Sequence, residues 1–162
     1  MSIKDTSLKD YFTLPVLETY GEEKIKQNIP HREPFLMVDE ILVLEPRKKY
    51  IGVHHVRPDE YYFEGHFPGS PVMPGVLVLE CMSQAFGGAV MSVVAKDQQL
   101  PLFLSVEEAK FRGIVLPGDT LEMPIHILRL GRLSKIYCEA YVKQKLCTQA
   151  TLTFILGEKP HD

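Results

Sequence analysis

Apolar and polar positions divide this chain into segments with different periods. Residues 35–44 form an apolar run with Asp39 and Glu40 inside it, and residues 49–56 form a second. The polar turn Glu45-Pro46-Arg47-Lys48 separates them and Pro58 stops the second, so both read as strands. The next stretch holds Gly65, Pro68, Gly69, Pro71, Pro74 and Gly75. That density of glycine and proline excludes a regular helix or a central strand. The same stretch carries Tyr61, Tyr62, Phe63 and Phe67, which predicts a packed, ordered loop.

Pro74 suits a first helical turn, where its missing N–H would have no partner anyway. Beyond it, Leu77, Leu79, Met82, Phe86, Val90 and Val94 leave almost no polar face. The pattern predicts a buried helix of about 20 residues, roughly 30 Å long, which needs something to wrap it. The second half supplies strands at 102–111, 120–130, 133–142 and 146–156. Within the third, Ile136, Cys138, Ala140 and Val142 alternate with polar residues, the period of a half-buried strand. Turns are expected at 117–119, 131–132 and 143–145. The order is two strands, a buried helix and an antiparallel meander, an α+β layout with a sheet curled around one long helix. Residues 1–28 lack sustained periodicity and read as an N-terminal arm with a short helix at 22–27. Regular structure is expected from Ile29, in one domain over 29–157, with 158–162 a C-terminal tail.

Composition narrows the function classes. The 162 residues are 45% hydrophobic and 24% charged, ordinary for a soluble globular domain. A net charge of -3 argues against a general nucleic-acid binder. Cys81, Cys138 and Cys147 are odd in number and lack metal spacing, so a reducing compartment and packed thiols are expected. The charged start, MSIKDTSLKDYF, lacks the apolar core of an export signal, so a cytoplasmic location is expected. The apolar stretch 74–94 contains Glu80, Ser83, Gln84 and three glycines, so no membrane insertion is expected.

The candidate chemistry lies at Gly65-His66-Phe67-Pro68-Gly69, followed by Pro74-Gly75 and then Glu80. His66 precedes the helix in a rigid aromatic loop. Gly75 falls in the first turn, whose N–H groups have no intrahelical acceptors and favour developing negative charge. Glycine there also lets a substrate approach the backbone. Glu80 is the sole charge on the helix before Lys96, and Gln84, four residues on, shares its face. A desolvated carboxyl group suits a general acid, an imidazole suits a base, and free N–H groups suit an oxyanion. Read singly, a loop histidine is usually structural and a helix glutamate usually finds a salt bridge. Together they fit proton abstraction beside a carbonyl with loss of a hydroxyl.

Three pieces, PHREPFLMVDEIL (30–42), FEGHFPGSPVMPGVLVLECMSQA (63–85) and EEAKFRGIVLPGD (107–119), closely resemble the FabZ-type 3-hydroxyacyl-[acyl carrier protein] dehydratases. The resemblance spans about 29–157 and implies a hot-dog fold. It implies dehydration of a (3R)-3-hydroxyacyl thioester to the trans-2-enoyl product in fatty-acid or a related polyketide or aryl-polyene synthesis. His66 would take the α-proton, Glu80 would protonate the departing hydroxyl, the Gly75 N–H would bind the thioester carbonyl, and Gln84 would orient the acid. The substrate would ride on the phosphopantetheine of an acyl carrier protein, with no cofactor and no metal. The assembly implied is a homodimer with each site shared across its interface, further grouped as a trimer of dimers. Glutamate at 80 resembles this branch more than the dehydratase/isomerase branch. The arm is longer than usual, Asp39-Glu40 replaces the more usual Asp-Arg, and the tyrosine that gates the acyl tunnel in many members is missing near Leu102.

Tyr62, Phe63, Phe67, Val72, Met73 and Leu102 are assigned to the tunnel, with core packing the plainer alternative and the preferred one for Phe67. Lys110, Arg112, Arg129 and Arg132, with Lys135, are candidates for a basic rim facing the acidic carrier, the alternative being a solvated strand face. His31 reads as structural. His54 and His55, adjacent on a strand, point to opposite faces and make a poor metal pair, and His126 and His161 have no ligand spacing. The competing activities are acyl-thioester hydrolysis on the same fold, or acyl binding without catalysis.

Overall fold

The computed structural model describes residues 2, 3 and 6–160. Seven strands, β1 (Glu18–Tyr20), β2 (Glu40–Glu45), β3 (Lys49–His55), β4 (Gln99–Phe111), β5 (Thr120–Arg129), β6 (Leu133–Val142) and β7 (Lys145–Glu158), form one antiparallel sheet. The helices are α1 (Glu22–Asn28) and α2 (Gly75–Val94). The sheet curls around α2, as the element order predicts, and the chain has the hot-dog fold. Pro74 stands one residue before the helix, as its N-cap. Although α2 is long and apolar enough to cross a membrane, 67% of its apolar window is buried inside the fold.

The sheet order is β1-β2-β3-β5-β6-β7-β4. The expected four-strand meander is therefore only β5-β6-β7. β4 crosses over to pair with β7, with Lys110 opposite Gln149, and ends as an edge strand. The run at 35–44 is a strand only from Glu40, because Phe35 and Leu36 donate to the Arg32 carbonyl in a turn instead.

The inner face packs on α2 through Ile136, Cys138, Ala140 and Leu152 among others. Where α2 crosses β3 the backbones are close: a Cβ on Gly52 would lie 2.5 Å from the Ala85 Cβ. The outer face departs from expectation. Tyr137, Glu139 and Tyr141 alternate with the inward residues of β6, yet they too are buried. The arm covers them. Leu8 and Tyr11, in a 3-10 turn over Leu8–Thr13, pack with Leu44, Ile51 and Tyr137. Regular structure thus begins well before Ile29. The predicted short helix is present as α1, and β1 is an addition that pairs with β2.

Candidate active site

The loop between β3 and α2 is closed by backbone hydrogen bonds. His66 N donates to the Tyr62 carbonyl (3.0 Å), Val72 N to the His66 carbonyl (2.9 Å), and Met73 N to the Val115 carbonyl (2.9 Å). Phe67 and Ser70 exchange two more, at 3.1 and 2.9 Å. The His66 Nδ1 lies 2.6 Å from the Val72 carbonyl oxygen. A carbonyl can only accept, so Nδ1 carries the hydrogen and Nε2 keeps a free lone pair. That is the tautomer a base needs. Val72 thus acts through its backbone, a role the sequence does not display.

The far end of the site is built on α2. Gln84 is buried and its amide is fixed at both ends. Its Oε1 accepts from Met37 N (2.7 Å), and its Nε2 donates to the Phe35 carbonyl (2.8 Å) and to Glu80 Oε1 (3.0 Å). The expected pairing of Gln84 with Glu80 is therefore present, with two backbone groups holding the amide in that orientation. His31 Nε2 approaches the same Glu80 oxygen at 3.5 Å. This contact is absent from the sequence reading, where His31 stands only as a structural residue of the PHREPF piece.

Gly75 opens α2, and neither its N–H nor that of Val76 has an acceptor among the described residues. A Cβ at position 75 would lie 2.7 Å from the exposed Phe111 ring, so any larger residue there would have to displace that ring. Phe111 is the last residue of β4; Lys110 and Arg112 flank it on the opposite face of the strand, where Arg112 Nε donates to Gln149 Oε1 (2.8 Å). Within one chain, His66 and Glu80 share no hydrogen bond or ion pair among the described residues.

The proposed tunnel residues divide. Tyr62, Phe63 and Met73 belong to the central hydrophobic core. Burial pushes the Tyr62 phenol far above its ordinary value, aided by Glu60, Cys81 and Tyr61. Phe67, for which core packing was expected, is instead 52% exposed and stacks on the His66 ring at 4.0 Å. An exposed aromatic beside the His66 ring is free to touch a ligand. Leu102 is also exposed and packs over Gly157. The basic residues form no single rim in one chain. Lys110 pairs opposite Gln149, whereas Arg132 accepts from Leu156 N at the other end of β7, roughly 20 Å away along the strand. Arg129 lies opposite Lys135, and Lys135 pairs with Glu107 at 3.1 Å.

The remaining histidines and cysteines have structural surroundings. His54 is fully buried and His55 is exposed, on opposite faces as expected. His54 Nδ1 lies 3.0 Å from Asp39 Oδ2, and Arg57 reaches Glu60 at 3.1 Å. Burial pushes the Asp39 carboxyl up, but hydrogen bonds from the His54 ring and the His55 N–H outweigh it and hold the group below its usual value. Burial pushes all three thiols up and keeps them protonated. Among the described residues no group of three His, Cys, Asp or Glu side chains could hold a metal ion. His161 lies outside the described residues.

Comparison with known proteins points one way. The profile of the FabA-like domain family matches residues 29–151. The 3-hydroxyacyl-[acyl-carrier-protein] dehydratase FabZ of Desulforamulus reducens is 45% identical over 136 residues, covering 83% of this chain and 96% of that protein. Its counterpart in Clostridioides difficile is 41% identical over 138 residues, covering 85% and 97%. Among solved structures, the dehydratase heterocomplex ApeI:P from Xenorhabdus doucetiae superposes with a TM-score of 0.68 at 14% identity, covering 85% of this chain and 91% of that one. A thioesterase superfamily member from Thermus thermophilus superposes with a TM-score of 0.56 at 17% identity, covering 79% and 88%. At such identities the two structures speak for the fold alone.

Proposed function

The chain belongs to the FabZ-type 3-hydroxyacyl-[acyl-carrier-protein] dehydratases of the FabA-like family, and we propose that His66 and Glu80 divide the two proton transfers of its reaction. The enzyme removes water from a 3-hydroxyacyl thioester to leave the 2-enoyl thioester in fatty-acid biosynthesis. His66 Nε2 takes the α-proton, Glu80 gives its proton to the departing hydroxyl, and the Gly75 N–H receives the thioester oxygen as it gains negative charge. The net change is one water released and one proton moved from Glu80 to His66, which returns before the next cycle. The observation that carries this reading is the His66 Nδ1 contact to the Val72 carbonyl, which leaves Nε2 as the base. No step calls for redox or Lewis-acid chemistry, so the reading includes no cofactor and no metal, and a chelator is expected to leave the rate unchanged.

The site is completed by a second copy of the chain. His66 and Glu80 do not meet within one chain, and β4 presents a long unpaired edge carrying the exposed Leu102, Leu104 and Val106. Such an edge is a template for another strand. Lys110 and Arg112, on the Gln149 face of the β4 end, meet the acidic carrier protein, and Phe67 with Leu102 lines the acyl path. Three such dimers form the trimer of dimers, in the cytoplasm, where buried free thiols persist.

The test is an assay on 3-hydroxyacyl carrier protein that follows enoyl absorbance and free thiol together. Enoyl product without thiol release is expected; thiol release would make the protein a thioesterase. His66→Ala and Glu80→Gln should each lose about 10²- to 10⁴-fold in turnover as pure proteins, and co-expressed they should regain part of the activity through mixed dimers. Activity in either pure variant within tenfold of wild type ends the assignment, and no regain on mixing ends the shared site.

A further inference from the structure

We infer that His31 is a second donor to the Glu80 carboxyl, a positioning residue that tightens on it as its proton leaves. The inference rests on the reading of Glu80 as the acid and goes beyond it. His31 stands in the loop between α1 and β2. That loop is held by Arg32, whose guanidinium donates to the carbonyls of Lys26 (3.1 Å), Ile29 (3.0 Å) and His31 itself (2.6 Å). The ring stacks on Phe35, 15° from parallel. Its Nε2 points at Glu80 Oε1, 3.5 Å away.

Two features set this ring apart from a packed core histidine. First, its Nδ1 is buried and has no hydrogen-bond partner among the described residues. A hydrogen placed there would be a buried donor without an acceptor, so of the two neutral tautomers the one with hydrogen on Nε2 is favoured. That hydrogen faces the carboxyl group. Second, among the described residues no hydrogen bond ties the ring to the rest of the fold, and the Glu80 carboxyl group is the one ion-pair partner its ring approaches.

The separation is longer than a formed hydrogen bond, which runs about 2.7–3.2 Å. The N–H therefore faces the oxygen without being closed on it. Gln84 Nε2 and His31 Nε2 converge on the same oxygen, so the proton to be donated sits on the other. When that proton passes to the 3-hydroxyl and the carbon–oxygen bond breaks, Glu80 becomes a carboxylate. The Oε1 then draws the His31 N–H into a charge-assisted bond. A contact that strengthens only as charge develops lowers the barrier without tightening ground-state binding. Gln84 is held by two backbone groups and cannot close up further; His31, held by stacking alone, can.

The experiment compares His31→Phe, which keeps a ring and removes the donor, with His31→Gln, whose side-chain amide can donate from nearly the same place. His31→Phe is expected to lower kcat about 10- to 100-fold, the weight of one hydrogen bond to a charged group, with KM and the thermal midpoint little changed. His31→Gln should restore most of the loss. In a Glu80→Gln background, His31→Phe should lower the residual rate no further, since the group it serves is gone. Imidazole 15N shifts should show His31 protonated at Nε2 and should move on Glu80→Gln. Wild-type kcat in His31→Phe, or hydrogen on Nδ1 with shifts indifferent to Glu80→Gln, overturns the inference while the acid role of Glu80 stands. An active Glu80→Gln instead removes the acid role itself.

Discussion

Glu80 and Glu139 are both withdrawn from solvent, and they are treated in opposite ways. Glu139, on the outer face of β6, is 3% exposed and its oxygens are fully engaged. It accepts from Leu8 N (2.9 Å), from the Tyr137 hydroxyl (2.9 Å) and from the Tyr141 hydroxyl. Every donor has a fixed place in the sheet or the arm, and a carboxyl group so surrounded has nothing left to offer a ligand. Glu80, on the inner helix, has one oxygen bonded to Gln84 and approached by His31, while the other has no partner among the described residues and is not buried. A carboxyl group that only holds structure is saturated. Glu80, the proposed acid, keeps an oxygen open, and its donors both lie on the other side.

The largest effect that separates the two is on rate. Glu80→Gln keeps the shape and the Gln84 contact but removes the acid. Turnover should fall by about 10²- to 10⁴-fold, the usual weight of a positioned acid, with the thermal midpoint within a few degrees of wild type. A variant that loses its rate only by unfolding, as circular dichroism would show, would erase the distinction.

Deleting the arm up to Leu17 should act on the other member of the pair. It uncovers the cluster of Leu8, Tyr11, Leu44, Ile51 and Tyr137 and leaves Glu139 without its backbone donor. A loss of about 3–5 kcal/mol is expected, comparable to breaking a buried polar contact and baring two large side chains. Turnover per folded molecule should be unchanged. Urea unfolding monitored beside the enoyl assay separates the two quantities. A truncated enzyme as stable as the full chain would mean that the arm covers the face without supporting it. Glu139→Gln is the milder version: it keeps the acceptor oxygen but turns one accepting site into a donor facing donors. We expect it to cost about 1–3 kcal/mol, again with no change in kcat.

The sequence displayed these two carboxyl groups unequally. Glu80 stood out because it is a lone charge on an apolar helix, four residues from Gln84 and downstream of a Gly/Pro framework around His66. Glu139 is not singled out, because it falls among the residues that alternate with the apolar ones of a half-buried strand, and period-2 alternation reports which residues share a face and not what covers it. The covering arm could not be read, since its buried residues Leu8 and Tyr11 lie in a 3-10 turn with no strand or helix period. The same limit explains the meander. Local pattern marks β4 as a strand but carries no information on its partner, which is β7 and lies across two other strands in sequence. His31 was visible as a motif residue, but its approach to Glu80 arises from a turn around Arg32 joined to a helix some fifty residues on. Phe67 is assigned to the tunnel with core packing preferred, and only the core preference fails, because hydrophobicity alone cannot tell a core ring from one stacked outside on a histidine.

The smallest effect concerns how firmly the arm is held against pH. The Tyr11 hydroxyl hydrogen-bonds His126 Nδ1 on β5. Burial, with Glu45 and Glu139 adding to it, pushes the Tyr11 phenol far up, so the phenol donates and the imidazole accepts. Burial pushes the His126 imidazole below its ordinary value, helped by Lys48 and Lys49 and opposed by Glu45. A base whose folded value lies below its unfolded one binds protons more readily when released. Its contribution to stability is therefore complete above the unfolded value, about pH 6.5, and fades as the pH falls toward the folded value. Amide exchange in residues 8–13 should quicken modestly between about pH 6.5 and 5, while exchange in the buried part of α2 stays level. His126→Asn, which cannot take up a proton, should flatten that dependence. An arm that loosens equally in the variant would place the sensitivity elsewhere on the outer face, and the two glutamates would then differ in exposure to solvent rather than in what their neighbours are built to do.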